Sequence, residues 1–355
     1  MLRTTLANPL RCLSALPFLL IALAWPCATA QTGDFPELGN DTLEFYLIQA
    51  FEAPLAEARL ALNHIGIEVQ AAEDGFLITA ALEGYPAHRA GLERGDKIVR
   101  VGGEPYHPIY SFNTADAQTS SFAPSTIAHR LEFERLGVQQ TIEIVPVFEN
   151  LFDSYRSATL DSAQAFPLGN KTIGYIRFWG LSRSASDLFA LDLLLRSFPD
   201  SDGMILDLRN AYGYVSSEHL DMFSRDGRGY FESSDSSNRH TAVGPGVPSS
   251  ARPFTKPIVV LVNSKTRGGA LLFAYGLSKI ERIRTLGEAS NGSIGSYEQN
   301  ETFMRYLPAR EILIDGQKFE DTLLIPQIPV PFPFTQSGRS DPQFESAVDF
   351  LLGRI

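Results

Sequence analysis

Val259-Val260-Leu261-Val262-Asn263-Ser264-Lys265-Thr266-Arg267-Gly268-Gly269-Ala270-Leu271-Leu272-Phe273-Ala274 reads as a buried strand, a short polar turn and the start of a helix. An apolar run of this length, bounded by a turn, fits a strand covered on both faces. A nucleophile held at such a turn would be activated by the helix N-terminus and by nearby backbone N–H groups. Gly268 has no side chain to serve as one.

Outward from this stretch the pattern alternates. Lys171 to Trp179 predicts a strand. Ser184 or Ser186 can cap a helix that carries Leu188, Leu191, Leu195 and Phe198 on one stripe. Gly203 to Arg209 and Pro257 to Val262 predict strands, Gly268 to Ile280 a helix, and Arg282 to Leu286 another strand. Strands alternating with helices imply a mainly parallel sheet flanked by helices. At the end, Asp341 can cap a helix with Pro342 at its first position, Gly353 at its stop, and Phe344, Val348 and Leu351 inward. Ser224 to Arg252, rich in Ser, Gly, Pro and Asp, predicts an irregular surface loop, with a lid as the second reading. Ile325 to Phe334 alternates Pro with apolar residues and should run extended over the core.

The first half differs. Asp41 to Leu62 predicts a helical lead-in segment (31–62), with Leu43, Leu47, Ala50 and Phe51 on one face and a break at Pro54. From 63 to 148 short strands and turns dominate. Ile65 to Val69, Gly75 to Ala80 and Asp96 to Val101 are strand-like, Pro86 to Leu92 is a short helix, and Leu131 to Phe133 and Thr141 to Val147 make a closing pair. In general, a Gly-containing turn between apolar residues leaves backbone N–H groups that can hold a terminal carboxylate, and a following strand can accept a peptide by β-addition. His64 could reach that carboxylate; the plainer reading is an exposed loop histidine.

Residues 1–30 carry only Arg3 and Arg11 as charges, an apolar run from Leu13 to Trp25 and the small-x-small end Ala28-Thr29-Ala30. This is the pattern of a signal peptide, so the chain is expected to be exported, to a bacterial periplasm. The run falls short of the ~20 residues of a membrane span. Cys12 and Cys27 both lie in this segment, so no disulfide or thiol chemistry is expected of the rest. Removing Arg3 and Arg11 takes the formal net charge from −11 to −13. An acidic surface argues against nucleic acid and anionic membrane as partners. No metal or cofactor is expected.

Gly84-Tyr85-Pro86-Ala87, Ala90-Gly91-Leu92, Gly95-Asp96-Lys97-Ile98 and Val101-Gly102-Gly103, with Ile65-Gly66-Ile67 before them, resemble a PDZ domain of the bacterial protease-associated type. The resemblance assigns peptide binding to Ile65, Gly66 and Ile67. Ile173-Gly174-Tyr175-Ile176, Gly203 to Asn210, Pro257 to Asn263, Gly287-Glu288 and Asp341-Pro342-Gln343 resemble the C-terminal processing, or tail-specific, serine peptidases. This implies an α/β protease-like domain over 149–355 preceded by, or holding as an insertion, the PDZ domain at 63–148.

The family's chemistry uses a serine deprotonated by a neutral lysine, with backbone N–H groups as oxyanion hole. One branch writes Thr-Arg-Ser-Gly-Lys-Glu at the nucleophile; this chain has Thr266-Arg267-Gly268-Gly269-Ala270-Leu271. The nucleophile position is therefore Gly268, the lysine position Ser293, and the supporting glutamine position Tyr297, with Gln299 near. The oxyanion turn reads Ala211-Tyr212-Gly213-Tyr214, leaving Gly213 and the N–H of Gly269 as donors. Ser264, Thr266 and Lys265 are candidates for rescue; His219 and His240 are bases only if the fold delivers them, and the plainer reading is surface histidines. Ser290, Ser293 and Ser296 read as loop hydrogen-bonders. The resulting expectation is a protein that recognises C-terminal or unfolded peptide tails without cutting them. The alternatives are an active divergent endopeptidase and an envelope scaffold, and homo-oligomers are left open.

Overall fold

Thr42 stands before the apolar residues of the first helix, and its hydroxyl accepts the Phe45 N–H at 3.2 Å, as an N-cap does. The computed structural model describes residues 37–114, 121–224, 231–235, 240–243, 253–290, 294–299, 303–314, 317–318, 324–334 and 340–355. The expected signal peptide and Ser293 lie outside the described residues. Pro36 to Ile355 forms one unit.

The lead-in is not one helix. After β1 (Leu38–Gly39) come α1 (Leu43–Glu52), a 3-10 turn over Ala56–Ala58, and β2 (Ala61–His64). Pro54 has no N–H to continue the ladder, so the helix stops before it.

The β-rich part follows: β3 (Ile67–Ala72), β4 (Gly75–Ala81), α2 (Pro86–Arg89), β5 (Lys97–Val101), β6 (Glu104–Pro105), β7 (His129–Arg135) and β8 (Val138–Ile144). Its sheet runs in the order β3-β4-β5-β7-β8, all antiparallel, with β6 beside β5. Ile65, Ile78, Ile98, Leu131 and Phe133 fill its core. β3 is an edge strand. β9 (Val147–Asn150) returns to pair with β2 antiparallel, so the chain leaves this part beside the point where it arrived.

The α/β core contains α3 (Leu151–Asp161), β10 (Gln164–Leu168), β11 (Lys171–Arg177), β12 (Gly180–Leu181), α4 (Ala185–Arg196), β13 (Gly203–Asp207), β14 (Tyr212–Gly213), α5 (Ser217–Asp221), β15 (Phe231–Asp235), β16 (His240–Val243), β17 (Ile258–Val262), α6 (Gly269–Ser278), β18 (Ile283–Gly287), β19 (Gly295–Gln299), β20 (Phe303–Ile314), β21 (Gln317–Lys318), β22 (Ile328–Pro329) and α7 (Pro342–Leu352). The central sheet has the order β10-β11-β13-β17-β18-β22, parallel except for β10. Its two faces follow from side-chain alternation. Val260 and Val262 pack toward Phe273 and Leu277 of α6; Val259 and Leu261 pack toward Ala347 and Leu351 of α7. Each such apolar side chain contributes ~1.5–3 kcal/mol by leaving water. Ser184 caps α4 and Asp341 caps α7, as the sequence predicts.

One expectation is corrected. Ser224 to Arg252 is not wholly irregular, because its described residues include β15 and β16, which pair with each other, and β15 also pairs with β20. The Phe231–Asp235 strand has no apolar alternation; its partner is far along the chain, so composition alone pointed to a loop.

Candidate functional site

Two turns at the C-terminal ends of parallel strands meet at the site. The first follows β13. Asp207 accepts from Arg209 Nη2 at 2.5 Å, from Arg209 Nε and from the Tyr175 hydroxyl at 2.8 Å. Arg209 also reaches Asp341 at 2.7 Å and Gln343 at 3.1 Å, tying the strand to the cap of α7. Burial pushes the Asp207 carboxyl up; the charges of Arg209 and Arg177 overcome it and hold the group below its ordinary value. The Asp-Leu-Arg signature is therefore a buried structural ion pair. Asn210, with φ of 65°, closes the turn and donates to Glu68 of β3 at 2.6 Å.

The second turn follows β17. Asn263 Oδ1 accepts the N–H groups of Asn210 at 3.0 Å and Lys265 at 3.1 Å, locking the two turns together. Thr266 is fully buried; its hydroxyl donates to the Leu208 carbonyl at 2.8 Å and accepts the Asn263 N–H. It is a structural strut, not a spare nucleophile. Ser264 is exposed and has no hydrogen-bond partner among the described residues. Arg267 is buried, pairs with Glu44 at 2.6 Å and lies 5.3 Å from the Tyr212 ring centre.

Gly268 is the N-cap of α6, at φ 60° and ψ −136°, a conformation that costs any side-chain-bearing residue strain. A Cβ placed there would lie 3.2 Å from Tyr212 Cε2 and 3.4 Å from the Gly213 carbonyl oxygen. The Tyr212 ring thus borders the space into which a side chain at 268 would project. Tyr212 is 3% exposed, packs edge-on against Phe51 at 5.3 Å, and burial raises its hydroxyl pKa well above the ordinary value. β14 pairs parallel with β12, which fixes the ring's origin.

Gly213 and Gly269, the two residues named for the oxyanion turn, lie close together in the fold. A Cβ on Gly269 would stand 2.5 Å from the Gly213 carbonyl oxygen and 2.6 Å from the Val215 nitrogen. Glycine at 269 is what lets α6 approach β14 so closely. Tyr297 lies on β19, where burial raises its pKa to about 12, and Glu44 and Arg267 are among its charged neighbours. Ser290 accepts the Leu324 N–H at 2.9 Å, the hydrogen-bonding role the sequence suggested. The side chains of Ser296 and His240 lie outside the described residues.

Two histidines differ from expectation. His219 is buried, not on the surface; its Nδ1 accepts the Ser216 N–H at 3.0 Å, and burial lowers its pKa to about 4. It caps α5, and the one hydroxyl it meets is that of the N-cap Ser216, 3.0 Å from the same Nδ1. His64 is likewise buried in β2, with its pKa lowered to about 4 by desolvation. Its Nδ1 accepts the Gly66 N–H at 3.1 Å, and Nε2 meets Ser154 Oγ at 3.1 Å. Ser154 in turn donates to Glu149 at 2.7 Å, and Tyr85 donates to the same carboxylate at 2.5 Å. The Ile65–Ile67 turn is consequently engaged from within. The Gly66 amide is taken by His64, the Ile65 carbonyl by the Ala87 N–H at 2.9 Å and the Gly66 carbonyl by the Leu82 N–H at 2.9 Å.

Beside β3 lies a cavity of about 290 Å³, lined by Ile67, Val69, Phe76, His107, Leu47 and Lys265 among others. A separate polar cavity of about 430 Å³ opens at the strand ends, between Thr79–Ala81 and Arg177, Arg209 and Asn263. Sequence reasoning missed Tyr212 as a ring against Gly268 and the Arg267–Glu44 pair. The one available signal was a bulky residue next to the glycine of the expected oxyanion turn. Among the described residues no cluster of His, Cys, Asp and Glu could hold a metal, and no helix is long and apolar enough to cross a membrane.

The fold defines a class: a mainly parallel α/β core flanked by helices, with a β-rich domain built against it. Residues 77–117 match the PDZ domain profile, and residues 172–330 match the profile of peptidase family S41. The chain is 24% identical over 287 residues to the carboxy-terminal processing protease CtpA of Bacillus subtilis, covering 76% of this chain and 56% of that protein. It is 27% identical over 218 residues to a carboxyl-terminal-processing protease of Synechocystis, covering 61% of this chain and 48% of that one. It thus spans about half the length of these two relatives. A solved structure from Bacteroides fragilis, named as an S41 protease, shares the fold at a TM-score of 0.56 and 15% identity, over 83% of this chain and 84% of that one. The chain is thus similar to the C-terminal processing peptidases, with a PDZ match ahead of the S41 match.

Proposed function

We propose that this chain is an exported protein, working in a bacterial periplasm, that recognises C-terminal or unfolded peptide tails and does not cut them. Its working parts on this reading are a PDZ domain over 63–148 and a protease-like domain over 149–355. One observation carries the reading: Gly268 heads α6, and a Cβ there would stand 3.2 Å from the Tyr212 ring. The side chain is absent, and the space beside it is lined by a buried aromatic. The neighbouring hydroxyl of Thr266 is spent on Leu208, and the histidines His64 and His219 are spent on amides. Losing the nucleophile alone costs on the order of 10⁶ in turnover where the residues act as a unit. A peptide tail has a place beside the open edge of β3, next to the 290 Å³ cavity.

The test is incubation of the purified protein with a fluorophosphonate probe and with an unstructured tail peptide. No labelling and no cleavage, with measurable peptide binding, is the expected result. Labelling at one serine, or cleavage abolished by Ser264→Ala, would establish the active divergent peptidase instead. Absence of any peptide binding, together with a stable complex with another envelope protein, would favour the scaffold.

A further inference from the structure

We propose that Lys265, on the turn that heads α6, captures the C-terminal carboxylate of a peptide added to the edge of β3. The proposal rests on the tail-recognition reading and names the group that makes the end of the tail its recognised feature.

Three observations converge. First, the turn at Ile65–Ile67 has its central amide filled by the protein itself, since the Gly66 N–H donates to His64 Nδ1 at 3.1 Å. The Tyr85 side chain also closes over Gly66, where an added Cβ would collide with it. That amide is not free for a ligand. Second, Lys265 lines the cavity along β3, together with Ile67, Glu68 and Val69. Among the described residues its ammonium has no carboxylate within ion-pair distance and no hydrogen-bond acceptor.

Third, two of the three acids around the same cavity are engaged elsewhere. Glu44 pairs with Arg267 at 2.6 Å, and Glu68 accepts from Asn210 at 2.6 Å and from the Tyr155 hydroxyl. Asp41 is exposed and precedes the cap of α1. Lys265 is thus the cavity's uncommitted cation among the described residues; Glu44 and Glu68 are already supplied with donors, and Asp41 stands exposed to solvent at the rim.

The direction of the peptide follows. A hydrogen-bond chain ties Lys265 to the start of β3: Lys265 N–H to Asn263, Asn263 to Asn210, Asn210 to Glu68. Glu68 is the second residue of that strand. A peptide with its carboxylate at Lys265 therefore runs antiparallel to β3, and its main chain can bond the unpaired edge. The side chain of its last residue faces Ile67, Val69 and Phe76, so an apolar C-terminal residue is expected.

The experiment uses the mature chain and one unstructured ten-residue peptide with an apolar last residue, prepared as the free acid and as the amide. Binding is read by calorimetry. Wild type should bind the acid about tenfold tighter than the amide, as a charge-assisted hydrogen bond allows. Lys265→Gln should bind both with the affinity of the amide, and Lys265→Arg should keep the preference. Should Lys265→Gln fail to fold, the salt dependence of wild type serves: the preference for the acid should shrink between low and high salt while amide binding holds. If wild type binds acid and amide equally, or Lys265→Gln keeps the preference, capture by Lys265 is wrong and tail recognition stands. If wild type binds neither, both fall.

Discussion

The turns after β13 and β17 sit side by side, joined through Asn210 and Asn263, yet they differ in what they retain. The β13 turn keeps a full set of charged partners: Asp207, Arg209, Asp341 and Gln343. The β17 turn keeps its backbone path and its close approach to Gly213, but the head of its helix carries no reactive side chain. The contrast teaches that the most recognisable motif of a sequence can be its scaffold. Asp207-Leu208-Arg209 identifies the fold because it holds the strand ends together. The chemistry would have lived next door.

The largest test of that contrast is Arg209→Met. It leaves the carboxylate of Asp207 buried without its main partner, and removing one member of a buried pair costs about 3–5 kcal/mol. Urea unfolding should show that loss. A loss under 1 kcal/mol would mean that the β13 turn is not the anchor described. Gly268→Ser comes next. The strained backbone at 268 should cost about 1–3 kcal/mol, and the Tyr212 ring stands at 3.2 Å from the new Cβ. No hydrolysis should appear, whereas gained activity would show that an intact site needs only its serine.

The two regions also separate by pH. The Asp207 carboxyl has its folded pKa below the unfolded value, so its contribution is present above about pH 4 and is lost as pH falls through the folded value. The His219 ring, 6.0 Å from Phe273 of α6, has its pKa lowered to about 4. The unfolded chain binds that proton first. Stability should therefore fall as pH drops from about 6.5 to 4, by about 1.4 kcal/mol per pH unit for each such histidine, and level off below. His64 titrates in the same window. His219→Gln should therefore remove about half of the slope, a change that urea midpoints across pH would read. The smallest effect is expected for Asn210→Ala, which cuts the link to Glu68: about 1 kcal/mol by thermal unfolding.

Much of the core was legible because local rules and the final packing agree. Val259 to Val262 is apolar on both faces and is covered by α6 and α7. Ser184 and Asp341 cap the helices they precede. The rest depends on partners distant in the chain. β20, from Phe303 to Ile314, is defined by pairing with β1, β15, β19 and β21, and its sequence alone gave no strand signal strong enough to read. The burial of His64 rests on Tyr85 and Ser154, and that of His219 on its place against Phe273 of α6. At the site, glycine at 268 was visible, but the ring against it was not. Tyr212 is 56 positions away and is aimed by the β12–β14 pairing.

On this reading the chain holds tails at the edge of β3, and its α/β core leaves them whole. That reading is tested most directly by mass spectrometry of an unstructured tail peptide after long incubation with the wild-type chain, beside its Ser264→Ala variant. Intact peptide is expected with both proteins. Fragments produced by wild type and absent with Ser264→Ala would contradict the reading.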